Sequence, residues 1–321
     1  MSEESSGGRT HGDSVTVVVV NWNSGLMLRD CLLSLVADAE ADRSSTQVIV
    51  VDNASTDSSV ERAAEVGHAD ILRNSVNRGF AAACNQGAAL VQSDFLLFLN
   101  PDCRVGPGAI AACRRRLQED SSVGVVGVAL TGDDGRVSRS CHRFPTVSNF
   151  LFKLSGLSAV SKRFPDGSMR EWAHDADRRV DHVIGAFYMV RTGEFRALGG
   201  FDERFFVYLE DLDLSLRYRA LGKHCMFLAS CPSFHKGGGT SEQAKATRLF
   251  YATRSRILYA FKHFGRAQAW LHLLATMTAE PLARIARGLA LRQWRSIIEV
   301  GRAFSMLYGD LPATLHLARR P

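Results

Sequence analysis

The sequence predicts an α/β fold, with a mostly parallel central sheet, helices on both faces and a helical C-terminal extension. Three observations lead there. Short β-branched or apolar runs recur at Val15–Val20, Gln47–Val51 and Phe95–Leu99, as in strands buried on both faces. The segments between them carry helical patterns, so strand and helix alternate, which favours right-handed crossovers and parallel pairing. Polar residues gather where the strands stop: Asn21 and Asn23, then Asp52 and Asn53, then Asn77, then Asn100 and Asp102. Such sheets bind ligands beyond the carboxyl ends of their strands. One Asx residue after a strand is an ordinary turn signal; four consecutive ends of this kind point to a site.

The elements follow in order. After the first strand, Leu28, Leu32, Leu35 and Val36 give a helix with one apolar stripe. The second strand ends at Asp52-Asn53, and Thr56 or Asp57 can cap a helix through about Val66. Ile71-Leu72 is a short third strand. Gly79 to Val91 is Ala-rich and helical, and Phe95–Leu99 is the fourth strand. Val123–Val128 reads as a fifth strand. Thr131 to Val180, rich in charge and with Pro145 and Pro165, reads as long loops with short helices near a substrate. Val183–Val190 returns to strand. Leu209 to Gly222 is a helix with Leu209, Leu212 and Leu216 on one face and Gly222 ending it.

Composition bounds the function. The polar stretch Met1–Ser14 lacks the apolar core of a secretory signal and is expected to be a disordered tail. Seven cysteines without CxxC spacing argue against a zinc site or a disulfide framework and fit a reducing cytosol. The net charge is +6, yet residues 241–321 hold 13 Lys and Arg against 4 Asp and Glu, leaving −3 for the rest. A basic excess confined to one end disfavours nucleic acid and suits an anionic surface.

That end, residues 265–321, forms a separate segment. No apolar stretch reaches the ~20 residues a spanning helix needs. Taken as one helix from Leu282 to Leu307, it places Arg284, Arg287, Arg295 and Arg302 within about 80° of arc. Leu282, Ile285, Leu289, Val300, Phe304 and Leu307 fall opposite. This pattern suits a helix lying in a membrane interface, and equally a helix packed on its own domain with a solvated Arg face. Gly288 and Gly301 are places where it can break.

Several motifs occur in a fixed order: NWNS (Asn21–Ser24), VVDNASTD (Val50–Asp57), NRGFAAACNQG (Asn77–Gly87), NPD (Asn100–Asp102), GAFYMVR (Gly185–Arg191), GGFDERFF (Gly199–Phe206), EDLDLSLR (Glu210–Arg217) and a late His235. The ordered set, over roughly residues 15–264, resembles the family 2 glycosyltransferases of GT-A fold, the Rossmann-like nucleotide-diphospho-sugar transferases. Within them it is similar to bacterial rhamnosyltransferase-type enzymes of cell-surface polysaccharide assembly.

The resemblance implies a nucleotide-sugar donor, a divalent metal (Mg²⁺ or Mn²⁺) and inversion at the anomeric carbon. By it, Asp102 holds the metal at the donor diphosphate, and His235 is either a second metal ligand through its neutral imidazole or a direct contact to the phosphates. Asn100 replaces the first carboxylate of the usual DxD motif, and Pro101 fixes the backbone between them. Mg²⁺ accepts one or two carboxylates with phosphates and water, so a single Asp suffices. Asp52, with Asn53, contacts the base, and Asn21, Trp22 and Asn23 the nucleoside. Asn77, Arg78, Gly79 and Phe80 open a helix whose N-terminus faces the donor, with Asn85 further along it. Gly185, Ala186, Gly200, Phe201 and Asp202 lie near the sugar and acceptor. Asp211 is the base that takes the acceptor's proton, with Glu210 its neighbour. Lys236 and Gly237 to Gly239 read as a closing lid.

The expected reaction is transfer of L-rhamnose from dTDP-L-rhamnose to a glycan on a polyprenyl diphosphate, by a peripheral enzyme at the inner face of the cytoplasmic membrane. The alternatives are a UDP-sugar donor or a non-catalytic nucleotide-sugar-binding partner. A dehydrogenase or NTPase is disfavoured, with no GxGxxG after the first strand and no GxxxxGK[ST].

Overall fold

A computed structural model describes residues 13–42, 46–161, 163–169, 171–237 and 245–319. Most of the expected tail, and Gly238 and Gly239 of the expected lid, lie outside these residues. Asp13 and Ser14, placed in the tail by sequence, are hydrogen-bonded: Arg114 Nη1 donates to the Asp13 carbonyl, and Ser14 Oγ to Asp94.

The first half alternates as expected: β1 (Val15–Asn21), α1 (Met27–Asp42), β2 (Thr46–Asp52), α2 (Ser59–Ala64), β3 (Asp70–Arg73), α3 (Phe80–Ala89) and β4 (Phe95–Leu99). Then come β5 (Cys103–Arg104), α4 (Ala109–Glu119), β6 (Val123–Thr131), β7 (Cys141–His142), α5 (Val147–Leu154), α6 (Leu157–Val160), β8 (Arg178–Val180), β9 (His182–Val183), β10 (Phe187–Arg191), α7 (Thr192–Ala197), α8 (Glu210–Ala220) and β11 (His224–His235). Three helices close the chain: α9 (Lys245–His263), α10 (Arg266–Ala290) and α11 (Trp294–Ala318).

The main sheet runs β3-β2-β1-β4-β10-β6-β11-β5, with β8 also on β11. It is parallel from β3 to β4 and again between β6 and β11, while β10 runs antiparallel between β4 and β6. β1 shows why its sequence is uniformly apolar. Val15, Val17 and Val19 pack with Leu28, Leu32 and Leu35 of α1 on one face. Val18 and Val20 pack with Ala81 and Cys84 of α3 on the other. A strand covered on both sides has no solvent face to carry polar residues.

Three expectations change. The strand expected over Val183–Val190 is interrupted between β9 and β10, because the backbone at Gly185 and Ala186 is bonded elsewhere: Gly185 N–H donates to Asp211, and the Ala186 carbonyl accepts from Asn100 N–H. The helix after β2 stops at Ala64, and Asp57 bonds its start through Ser59 N–H and Oγ rather than as the N-cap residue. The single helix from Leu282 to Leu307 is two helices. The chain turns at Leu291–Gln293, where Arg292 is left-handed at φ 53°. Neither Gly288 nor Gly301 makes the break. Instead Gly288 lets the two helices pack closely, since a Cβ there would lie 2.6 Å from Ile297.

The C-terminal helices pack on the rest of the chain. Val300, Phe304 and Leu307 are buried with Phe250 and Ile257 of α9 and Leu273 of α10. Glu280 is wholly buried, bridged by Arg256 at 2.7 Å and by Arg284 at 2.8 Å. Leu282 and Leu289, expected on the same apolar stripe, stay 68% and 49% exposed. Among the described residues no helix is long and apolar enough to cross a membrane. All seven cysteines are buried and free.

Candidate active site

β1, β2 and β4 end side by side, so Asn21, Asp52 and Asn100 gather at one edge. The buried Asn21 amide donates to Asp52 Oδ1 (2.8 Å), Ser59 Oγ (2.9 Å) and Ser55 Oγ (3.0 Å), and its oxygen accepts from Ser24 Oγ. Asn23, left-handed at φ 49°, accepts from Thr56 N–H at 2.7 Å. These side chains tie the loop after β1 to the loop after β2, while Trp22 between them stays 36% exposed. Ser55 and Ser59 were not singled out in sequence, although Ser55 lies within the VVDNASTD motif and Ser59 two residues beyond it.

Asn53 is buried and shapes the next loop. It donates to Asn77 Oδ1 (2.8 Å) and the Gly79 carbonyl (3.1 Å), and accepts from Arg78 N–H (2.9 Å). Gly79 has φ 86°, and a Cβ there would lie 2.5 Å from the Phe206 carbonyl, so only glycine fits. That carbonyl accepts from Phe80 N–H at 2.6 Å. The opening N–H of α3 is therefore taken by the 199–209 loop rather than left open to a ligand. Asn85, one turn on, also serves this loop, donating to the Phe201 carbonyl (2.8 Å) and accepting from Phe201 N–H (2.9 Å). Arg78 is exposed.

Asp102 lies beyond β4, 9% exposed. The short β5 pairs antiparallel with the end of β11, setting His235 opposite Cys103. This brings His235 Nε2 to 3.4 Å from Asp102 Oδ1, and Lys236 N–H donates to the Asp102 carbonyl. Asp102, Cys103 and His235 form a group with metal-ligand spacing. The Cys103 thiol is not a fitting ligand: it is wholly buried, bonded to the Ala186 carbonyl at 3.3 Å, and burial pushes its pKa well up. One carboxylate and one imidazole remain, a donor set that fits a divalent cation sharing diphosphate oxygens. A cavity of about 220 Å³ opens beside Asp102, bounded also by Asp30, Arg104, Phe234 and Lys236.

Asp211 opens α8 with its side chain 15% exposed. Its Oδ2 accepts from Gly185 N–H at 2.6 Å and its Oδ1 from Leu212 N–H at 2.7 Å. A Cβ on Gly185 would lie 3.0 Å from Oδ2, so the glycine permits this approach. The next residue, Ala186, accepts from Asn100 N–H at 3.0 Å. Two consecutive residues thus hold the Asp102 loop and the Asp211 carboxylate together.

Glu210 differs sharply from its neighbour. It is 4% exposed, and its Oε2 is buried without a hydrogen-bond partner among the described residues. Burial, and then the adjacent Asp211 charge, push its pKa well above the ordinary carboxylate value. Asp202, expected near the sugar, is bonded by Arg204 at 2.7 Å and Lys262 at 2.6 Å. Although burial disfavours its charge, these bonds hold its carboxyl well below the usual range. It fastens α9 to the sheet domain. Gly200, at φ 71°, lies against Asn85, and Phe201 packs edge-on to Phe98.

The sequence profile of Glycosyl transferase family 2 matches residues 16–196, more than half of the 321 residues. The chain belongs to this family. The glycosyltransferase is 27% identical over 267 residues to the N-acetylglucosaminyl-diphospho-decaprenol L-rhamnosyltransferase of Mycobacterium tuberculosis, over 79% of this chain and 86% of that protein. It is 26% identical to rhamnosyltransferase WbbL of Escherichia coli, over 76% of this chain and 95% of WbbL. Among solved structures, the mannosyltransferase PcManGT from Pyrobaculum calidifontis, in complex with GDP-Man and Mn²⁺, superposes with TM-score 0.52 at 16% identity, over 95% of this chain and 85% of that one. At that identity the likeness shows the fold alone, and the fold is GT-A.

Proposed function

We propose that this glycosyltransferase moves a sugar, L-rhamnose from dTDP-L-rhamnose, onto a glycan carried on a polyprenyl diphosphate, with inversion. The observation that carries the reading is the joining of the Asp102 loop and Asp211 through Gly185 and Ala186. A leaving-group site and a candidate base then flank one short backbone stretch. The two rhamnosyltransferase relatives support the sugar, and the decaprenol-linked name of one supports the acceptor class.

The roles follow from the chemistry. Asp211 accepts the proton of the acceptor hydroxyl as that oxygen bonds to the anomeric carbon and the carbon–phosphate-oxygen bond breaks. Attack opposite the leaving group inverts the centre. Glu210, whose burial favours its neutral form, is turned away from that role. Asp102 and His235 would hold a divalent cation, Mg²⁺ or Mn²⁺, whose charge stabilises the departing diphosphate. Lys236 and Arg104 add positive charge around the same cavity. Asp52 and Trp22 meet the base and nucleoside, with Asn21, Asn23, Asn53, Asn77 and Gly79 shaping the loops that present them. Gly185, Ala186, Gly200 and Phe201 leave room for the sugar and acceptor.

The enzyme works as a peripheral protein at the inner face of the cytoplasmic membrane, docked through residues 265–321. The turn between α10 and α11 presents Leu289, Leu291, Trp294 and Ile298, all about half or more exposed. Arg287, Arg292 and Arg295 flank them. Apolar and cationic side chains together suit an anionic bilayer.

Thermal stability against nucleoside diphosphates and nucleotide sugars, with and without Mg²⁺ or Mn²⁺, tests the donor. A ligand at 100 times its Kd adds about 2.7 kcal/mol. Selective, metal-dependent stabilisation by dTDP and dTDP-L-rhamnose is expected. A UDP-sugar preference overturns the rhamnose assignment, and no response to any nucleotide overturns the site. Asp211→Asn is expected to lose turnover by roughly 10²–10⁴-fold while still binding donor. Retained turnover would remove Asp211 as the base.

A further inference from the structure

Behind Asp211 lies a buried polar chain that neither the motifs nor the family match assigns. His182, on β9, is 4% exposed. Its Nε2 faces Asp211 Oδ2 at 3.6 Å. Its Nδ1 lies 3.0 Å from Ser215 Oγ on α8, and that hydroxyl lies 2.9 Å from Tyr188 OH on β10. The Tyr188 hydroxyl also reaches the Asp211 carbonyl at 3.5 Å. Three elements of the fold converge here on one side chain.

The chain accommodates a neutral imidazole. Burial holds the His182 pKa below its ordinary value, against the pull of Asp211 and Asp181, so the ring is neutral and carries one N–H. The tautomer with its hydrogen on Nε2, facing Asp211, is the one in which Tyr188 OH donates to Ser215 Oγ at 2.9 Å and the Ser215 hydroxyl donates to Nδ1 at 3.0 Å, in preference to the longer 3.5 Å contact of Tyr188 OH with the Asp211 carbonyl. Besides Asp211 and Asp181, the neighbouring titratable groups are held neutral by burial. His142 is 6.3 Å away between ring centres and is itself pushed down to about 4 by burial. Burial raises the pKa of both Tyr188 and Cys225.

We propose that His182 is a positioning residue for Asp211, with its Nε2–H closing on Oδ2 and leaving Oδ1 to receive the acceptor's proton. The lone pairs decide which oxygen is free. Oδ2 faces Gly185 N–H at 2.6 Å and the imidazole at 3.6 Å, whereas Oδ1, among the described residues, meets Leu212 N–H alone. The present 3.6 Å is longer than a formed hydrogen bond, and such contacts commonly tighten when the reacting complex assembles. The inference rests on Asp211 being the base.

The test compares His182→Phe, which keeps a ring and removes the N–H, with His182→Gln, which keeps an N–H donor. In His182→Phe, kcat is expected to fall roughly tenfold or more, on the scale of the ~100-fold losses that follow misplacing a reacting group. Acceptor KM and donor-induced stabilisation stay unchanged. His182→Gln recovers most of the rate. Adding His182→Phe to Asp211→Asn produces no further loss, since the histidine acts through the carboxylate.

Wild-type kcat in His182→Phe, with Asp211→Asn inactive, overturns the positioning role alone. Turnover retained in Asp211→Asn removes the base assignment and this inference with it. Should His182→Phe fail to fold, Ser215→Ala and Tyr188→Phe loosen the same imidazole without touching the Asp211 carboxylate. They are expected to lower kcat in the same way to a smaller degree, and wild-type kinetics in both overturn the proposal.

Discussion

Glu210 and Asp211 show how two adjacent carboxyls acquire different chemistry. The first residue of α8 points into the protein and the second toward the Gly185 backbone. The consequence for stability has a definite sign. The Glu210 pKa in the folded chain lies above its ordinary value of 4.5. Between those two values the unfolded chain has released its proton while the folded chain still holds it. The contribution of Glu210 is therefore fully present below pH 4.5 and declines as pH rises toward the folded pKa, by about 1.4 kcal/mol for each unit of separation. Glu210→Gln removes this titration. Its thermal midpoint is expected to exceed the wild type at pH 8 and to converge with it near pH 4.5. A difference that does not vary with pH would show that Glu210 is ionised in the folded protein.

At the level of elements, α10 is part of the folded body. Glu280 sits on its buried side, and Arg256 of α9, only 8% exposed, depends on it for neutralisation. Removing one partner of a buried pair strands the other charge, at a cost of about 3–5 kcal/mol. Glu280→Ala is expected to lower the denaturant midpoint accordingly. Leu282→Ala on the same helix, at a position 68% exposed, is expected to change stability by about 0.5 kcal/mol or less. Similar small losses in both variants would mean that α10 is only loosely held. Element types were legible where burial was simple. β1, β2 and β4 are covered on both faces and read as apolar runs. β11 was not legible: it carries Pro232 and Ser233, and its register on β6 shifts between Leu228 and Ser233. A strand with such an irregularity presents no regular period to read.

For the whole molecule, the C-terminal segment divides its apolar residues between two surroundings. Val300, Phe304 and Leu307 are covered by the chain itself, while Leu289, Leu291, Trp294 and Ile298 are not. The proposed membrane docking therefore falls to the turn between α10 and α11 rather than to one continuous helical face. Each Lys or Arg near an anionic surface contributes about 1 kcal/mol, screened by salt. Co-sedimentation with vesicles containing anionic lipid is expected to fall as salt rises. It should fall further in Arg292→Glu with Arg295→Glu, and apolar contact should drop in Trp294→Ala. Binding indifferent to salt and to the arginine changes would refute the electrostatic part.

The α/β alternation and the polar ends of the strands are legible in the sequence, because each is a local pattern set by burial period or turn chemistry, and the ordered motifs are legible through their resemblance to the family. The resemblance that those motifs carry singled out Asp102, His235 and Asp211. Only the tertiary structure decided how these residues meet. His235 reaches Asp102 through the β5–β11 pairing, and Gly185 and Ala186 join the two carboxylate sites by backbone bonds. It likewise decided that Asn21, Asn53 and Asn85 brace loops, that Asp202 fastens α9, and that His182 stands behind Asp211. The physical reason is range. Side-chain periodicity records what an element buries, but a hydrogen bond between distant residues leaves no local trace in either segment.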